Sequence, residues 1–189
     1  MTDFTIHSKT TAPAQSQPLL GAVEGKFGFV PNLLAGMSES PALLKAYLDV
    51  SAAIASGTLT PLEQQIVQIA TSRLNNCAYC VAGHSTVADM QKLPKDAIDA
   101  VREGRTIADA KLQALHTFTA TIVDSRGQPQ PSDTEAFLKA GYTKAQALEV
   151  VLSVGLKTLG NYAEHVIGVP LDAAFQGRKI DLKNKRAAA

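Results

Sequence analysis

The sequence predicts an all-α protein. Beyond position 18 apolar residues recur at helical spacing, several of these segments open on a cap residue, and none alternates like a half-buried strand. Pro41 to Ala55 carries Leu43, Leu44, Tyr47, Leu48 and Ile54, with Ser40 as its cap and Gly57 as its end. Thr60-Pro61-Leu62-Glu63 is a capping box: a hydroxyl at the cap, then proline, with a carboxylate three residues on. The helix it opens puts Leu62, Ile66, Ile69, Ala70 and Arg73 on one stripe, with Gln65 at its border. Asn75-Asn76 breaks that helix, and Cys77 starts the next, which runs to about Met90. Pro94 to Glu103 is a short helix stopped by Gly104, and Ala108 to Asp124 follows with Leu112, Leu115, Thr119, Ile122 and Val123 inward. After a loop from Ser125, Ser132 is expected to cap a helix ending at Gly141. Thr143 and Gln146 then repeat the capping pattern ahead of a long apolar helix with Ala147, Leu148, Val150, Val151, Val154, Leu156 and Leu159.

Leu74 to Gly83 and Leu159 to Gly168 coincide at five of ten positions, which suggests an internally duplicated helical hairpin. In the second copy His165 stands where the first has Cys80. Three parts are expected: a flexible polar N-terminal segment over 1–18, a helical domain over 19–176 and a basic C-terminal tail over 177–189. A net charge of +1 gives no field for nucleic acid or anionic lipid. No apolar run reaches membrane-spanning length and the N-terminus lacks a signal-peptide core, so a soluble cytoplasmic protein is expected.

The chemistry concentrates at the only two cysteines, Cys77 and Cys80, with His84 one turn further on. Residues three and four apart share a helix face, so these three form a stripe. A thiol near a helix N-terminus feels the positive end of the dipole, which favours the thiolate. A thiolate beside a base, with a second thiol in reach, can attack an oxidised substrate and be resolved as a disulfide. Two purely structural thiols are the plain alternative. A zinc site would need a fourth ligand, from His165, His116 or elsewhere. His116 reads as structural, and His165, in the polar run Asn161 to His165, as a packing or oligomer contact.

Cys77-Ala78-Tyr79-Cys80-Val81-Ala82-Gly83-His84 resembles the C-x-x-C-x-x-x-H signature of the AhpD-like, or carboxymuconolactone decarboxylase-like, superfamily. Gly28-Phe29-Val30-Pro31-Asn32, Asn161 to His165 and Pro170-Leu171-Asp172 look like its peroxidase-related branch. The resemblance implies an all-helical fold assembled as a homotrimer or homohexamer. It implies Cys80 as the peroxide-attacking thiol, Cys77 as the resolving thiol and His84 in a proton relay. Small-molecule hydroperoxides would be the substrates, and a dithiol, thioredoxin-like or lipoyl reductant the electron source, with no flavin, haem or metal. The family Glu lies twelve residues before the first Cys, and that position is Gln65; Tyr79 stands where some members have His. The relay is thereby reduced to Gln65, Tyr79 and His84. Two other functions compete with an antioxidant peroxidase: a non-catalytic redox sensor or thiol-exchange module, and a decarboxylase-type lyase that would need no thiols.

Overall fold

The computed structural model describes residues 4–182. Among these residues nine helices follow one another: α1 (Gln17–Phe27), α2 (Asn32–Met37), α3 (Pro41–Ala55), α4 (Pro61–Leu74), α5 (Ala78–Met90), α6 (Lys95–Glu103), α7 (Ala110–Asp124), α8 (Pro131–Lys139) and α9 (Lys144–Ile167). A 3-10 turn, Ala173–Arg178, comes after them, and the described residues contain no strand. Helix α4 is the hub, packed on α5, α6, α7 and α9. Its buried face extends from Ile66 through Ser72, which is why it carries polar as well as apolar residues inward. Thr71 and Ser72 satisfy their hydroxyls by donating one turn back, to Val67 O at 2.8 Å and Gln68 O at 2.7 Å.

Two apolar clusters divide the interior. One joins α4, α6, α7, α8 and α9 through Ile66, Ile98, Val101, Leu115 and Val150. Its aromatic spine stacks Phe118 on Phe137 and Phe137 on Tyr142, each pair at 4.4 Å between centroids. The other gathers Leu20, Leu33, Leu34, Met37 and Leu44 around Cys77, Tyr79 and Cys80. Phe175 closes it, edge-on to Phe29 at 5.9 Å and to Tyr79 at 5.7 Å.

The α4–α5 junction positions the cysteines. Asn76 adopts a left-handed φ of 59°. Around it Cys77 N–H donates to Ser72 O at 2.8 Å and Asn76 N–H to Arg73 O at 3.0 Å, the paired bonds of a Schellman motif. Cys77 thus closes α4 and, as the N-cap of α5, opens the next helix.

Several expectations change. The sequence-aligned stretch Leu159 to Gly168 runs through the end of the continuous α9 without a hairpin. Asn161 stays helical because its buried amide is used sideways, accepting from Asn75 Nδ2 at 3.0 Å and donating to Ser72 Oγ at 3.3 Å. Helix α8 begins at Pro131, one residue before the expected cap Ser132, since proline suits a first helical position and Asp133 accepts from Gln130 N–H at 2.9 Å. The segment to residue 18, expected to be flexible, is packed in its later part: Ala12 and Ser16 are buried and Ser16 Oγ donates to Ser38 O at 2.7 Å. At the other end Arg178 pairs with Asp89 and Asp99, so ordered packing passes the expected boundary at 176. The expected basic tail lies outside the described residues from 183 onward.

The left-handed junction is testable. Asn76→Val should destabilise the protein by about 1–3 kcal/mol, because a β-branched residue opposes positive φ, while Asn76→Gly should stay within about 1 kcal/mol of wild type. Urea denaturation of the three proteins measures this.

Candidate active site

Cys77 and Cys80 are 0% and 3% exposed. Both are free thiols in this structure. Cys77 Sγ caps α5 by accepting from Cys80 N–H at 3.4 Å, and Cys80 occupies the first turn. The two sulfurs differ sharply in character. The hydrogen bond from the Cys77 thiol lowers the pKa of Cys80 most; burial works against this, and the Lys157 ammonium and the Asn161 side chain help it down to about 7. Cys77 is pushed far up, first by its bond to Cys80, then by burial and the negative charges of Cys80 and Glu164. Cys80 is therefore the thiolate and Cys77 keeps the proton.

The size of the effect identifies the decisive groups. A fall from 9.0 to about 7 corresponds to about 3 kcal/mol in favour of the thiolate. A helix terminus supplies roughly 0.3–1 kcal/mol at an exposed site and about 2 kcal/mol in the best buried ones. The dipole anticipated from the sequence falls short alone; the thiol donor and the buried cation make up the difference.

Lys157 is 1% exposed, in the middle of α9. Its ammonium donates to His84 Nε2 at 2.8 Å and to Tyr47 Oη at 3.4 Å, and lies 5.8 Å from the Tyr47 ring centroid. Burial is the largest influence on it and acts to discharge it, but other influences, the negative charge on Cys80 first among them, push its pKa up overall. Among the described residues no carboxylate forms an ion pair with Lys157, so the Cys80 thiolate is its principal counter-charge.

His84 is neutral: burial and then the Lys157 charge hold its pKa well below the usual value. Since Lys157 can only donate, Nε2 must accept, and Nδ1–H donates to Gln65 Oε1 at 3.0 Å. The structure thus joins Gln65, His84 and Lys157 in one chain. Both nitrogens of His84 are thus engaged, and the charge nearest the Cys80 thiol comes from Lys157. Glu63, two residues before Gln65, is engaged in the capping box, where its Oε2 accepts from Thr60 N–H at 2.8 Å. Tyr79, expected in the relay, is committed elsewhere. Its hydroxyl donates to Asp172 and accepts from Leu33 N–H at 3.2 Å, and burial followed by Asp172 pushes its pKa up. Asp172 also accepts from Asn32 N–H at 3.1 Å, so the segments around Asn32 and Asp172 meet at Tyr79.

On the other side of the pair, Cys77 Sγ lies 3.6 Å from Glu164 Oε2, and Glu164 Oε2 lies 3.8 Å from His165 Nε2. These three side chains are the ones that could hold a metal ion among the described residues. His165 thus meets Cys77, while His84 is held by Gln65 and Lys157. His116, on α7, has its Nδ1 buried without a hydrogen-bond partner.

A cavity of about 300 Å³ ends on Cys80, His84 and Lys157 and is walled by apolar side chains that include Phe27, Leu48 and Phe175. Cys77 does not line it. Lys157 escaped sequence reasoning, and Asn161 and Glu164 were legible only as part of a polar run, because they approach the cysteines from more than 75 positions away. One signal was available: a lysine inside the apolar run from Val150 to Leu159.

With this geometry in hand, comparison with known proteins becomes informative. Residues 41–123, which contain the cysteine motif, match the carboxymuconolactone decarboxylase family. The whole chain has the fold of the alkylhydroperoxidase AhpD core, represented by an uncharacterized peroxidase-related protein from Ralstonia eutropha JMP134. That structure superposes with a TM-score of 0.81 at 23% identity, covering 91% of this chain and 93% of that one. An uncharacterized peroxidase-related protein from Silicibacter sp. TM1040 gives a TM-score of 0.79 at 17% identity, with 93% of each chain covered. The debrominase Bmp8 C82A in complex with 2,3,4-tribromopyrrole gives 0.76 at 17% identity over 94% of this chain and 96% of that one. Comparison with curated proteins finds no match.

The charge arrangement of this site predicts its titration. Cys80 should alkylate with a midpoint near pH 7, reactivity falling below it as the thiolate is protonated. Lys157→Met should move that midpoint upward, since the thiolate loses its cation while burial remains. Iodoacetamide kinetics in a Cys77→Ser background, beside wild type, resolve the Cys77 contribution as well.

Proposed function

We propose that this protein is a thiol-dependent oxidoreductase that reduces organic hydroperoxides. The observation that carries the reading is a low-pKa thiolate, Cys80, at the end of an apolar cavity beside a buried ammonium. Cys80 S⁻ attacks the terminal peroxide oxygen; the O–O bond breaks, leaving Cys80 as a sulfenic acid and the product as an alkoxide. Lys157 supplies the proton that turns the alkoxide into an alcohol, with neutral His84 and Gln65 orienting the ammonium. Cys77 then attacks the sulfenic sulfur, forming the disulfide. Glu164, 3.6 Å from Cys77 Sγ, takes the thiol proton, and the departing hydroxide leaves as water once protonated. An external dithiol, thioredoxin-like or lipoyl, restores the two thiols by exchange.

The partition of the pair supports this order: Cys80 faces the cavity, whereas Cys77 faces Glu164. Exposed Leu148, Val151, Leu152, Tyr162 and Val166 on α9 support self-association, which we assign to the trimer or hexamer implied by the motif. No helix among the described residues is long and apolar enough to cross a membrane. Two free thiols suit a reducing cytoplasm. The same cavity would admit a small halogenated ring of the kind bound by the debrominase, so a halopyrrole belongs beside alkyl hydroperoxides in the substrate panel.

Dithiol-dependent consumption of cumene hydroperoxide tests the proposal. Cys80→Ser should abolish turnover, while Cys77→Ser should allow one turnover and accumulate a sulfenic acid trapped by dimedone. Gln65→Glu should give no gain, because a new carboxylate beside His84 competes with Cys80 for the Lys157 charge. A disulfide that forms without turnover would identify a redox sensor instead. Activity on a lactone or carboxylate substrate that survives loss of both cysteines would identify the lyase.

A further inference from the structure

Glu164 and His165 are adjacent near the C-terminal end of α9, and neither has a part in the cavity that holds Cys80 and Lys157. Both reach Cys77. Cys77 Sγ and Glu164 Oε2 are 3.6 Å apart, Glu164 Oε2 and His165 Nε2 are 3.8 Å apart, and the three donor atoms all lie within 4.8 Å of one another. With metal–sulfur bonds of about 2.3 Å and metal–N or –O bonds of about 2.0–2.2 Å, tetrahedral zinc separates S and O by about 3.6 Å and N and O by about 3.4 Å. One edge of the trio already has the zinc spacing and a second is close to it.

Charge points the same way. Glu164 pairs with no Lys or Arg among the described residues, and its carboxylate faces a thiol whose ionisation it opposes. A dication between them would reverse that opposition, since one thiolate and one carboxylate balance two positive charges. Thiolate and imidazole favour zinc over calcium or magnesium, and three protein ligands leave a fourth position for water.

We propose that Cys77, Glu164 and His165 form a binding site for a thiophilic divalent cation, with zinc(II) as the test ion, and that zinc and the Cys77–Cys80 disulfide exclude each other. The regulatory consequence rests on the thiol-redox reading above; the binding site does not. Zinc holds the resolving sulfur and leaves the cavity side of Cys80 open. Once peroxide has oxidised Cys80, resolution releases the ion: zinc-bound Cys77 thiolate and the Cys80 sulfenic acid yield the disulfide, Zn²⁺ and hydroxide. The disulfide sulfur is too weak a donor to keep the metal, and reduction by dithiol restores the site.

The experiment titrates the reduced full-length chain with Co²⁺, following the near-ultraviolet thiolate-to-cobalt band, and then displaces it with Zn²⁺. One equivalent per chain is expected. The band should be absent in Cys77→Ser and in protein oxidised to the disulfide with diamide. Second-shell changes alone weaken metal sites about 10–100-fold, so loss of a direct ligand in His165→Ala should cost at least about tenfold. His165→Gln repeats the test with a longer polar side chain should alanine disturb the helix end. No band in reduced wild type, an equal band in the disulfide form, or unchanged affinity in both His165 variants would overturn the site. A chromophoric chelator separates the two proposals. Zinc released by diamide but not by cumene hydroperoxide would leave the site standing and sink the peroxidase. Peroxide turnover without any cobalt band would do the reverse.

Discussion

Lys157 and Cys80 hold opposite charges inside a largely apolar cluster, and the rest of the site is arranged around that pair. The Lys157 charge lowers the pKa of Cys80, and the negative charge on Cys80 raises that of Lys157. Each therefore stabilises the ionised form of the other. The sharing explains how a lysine that burial would discharge remains an ammonium. It also explains why His84 is neutral, since a second cation beside Lys157 would be repelled. The position at which the motif resemblance implies a carboxylate is occupied by Gln65. An amide at this point accepts from His84 without adding an anion, which leaves the Lys157 charge to the thiolate.

The three-residue spacing within C-x-x-C gives the two sulfurs separate surroundings. Cys77 sits at the cap and looks toward the end of α9; Cys80 sits in the first turn and lines the cavity. One faces a carboxylate, the other an ammonium, so the proton is placed on Cys77 and the negative charge on Cys80. The two sulfurs consequently face different surroundings. The Schellman turn at Asn76 maintains that division, for it sets the direction in which α5 leaves α4.

Resemblance at the motif identified Cys77, Cys80, His84 and Gln65 as neighbours, and the structure brings them into one site. It misplaced Tyr79, whose hydroxyl holds Asp172 and the start of α2 together. A phenol one residue before Cys80 can point either to the relay or into the second core, and the residues that decide, Asp172 and Leu33, are remote in sequence. Likewise, the sequence likeness of the segment after Leu159 to the cysteine segment suggested a repeated hairpin, but a buried use for the Asn161 amide keeps α9 continuous.

By itself the sequence determined the all-α class, most helix boundaries, the break at Asn75-Asn76 and the placing of two thiols at a helix start. Those features depend on forces acting within one or two turns: caps, proline and glycine geometry, and apolar spacing. The tertiary structure alone decided what surrounds each thiol, which cation lies near Cys80 and what His165 touches. These follow from α9 crossing α4 and α5, which brings Lys157, Asn161, Glu164 and His165 to the cysteines. Charge interactions reach across space, and only folding sets the distances and burial on which their strength depends.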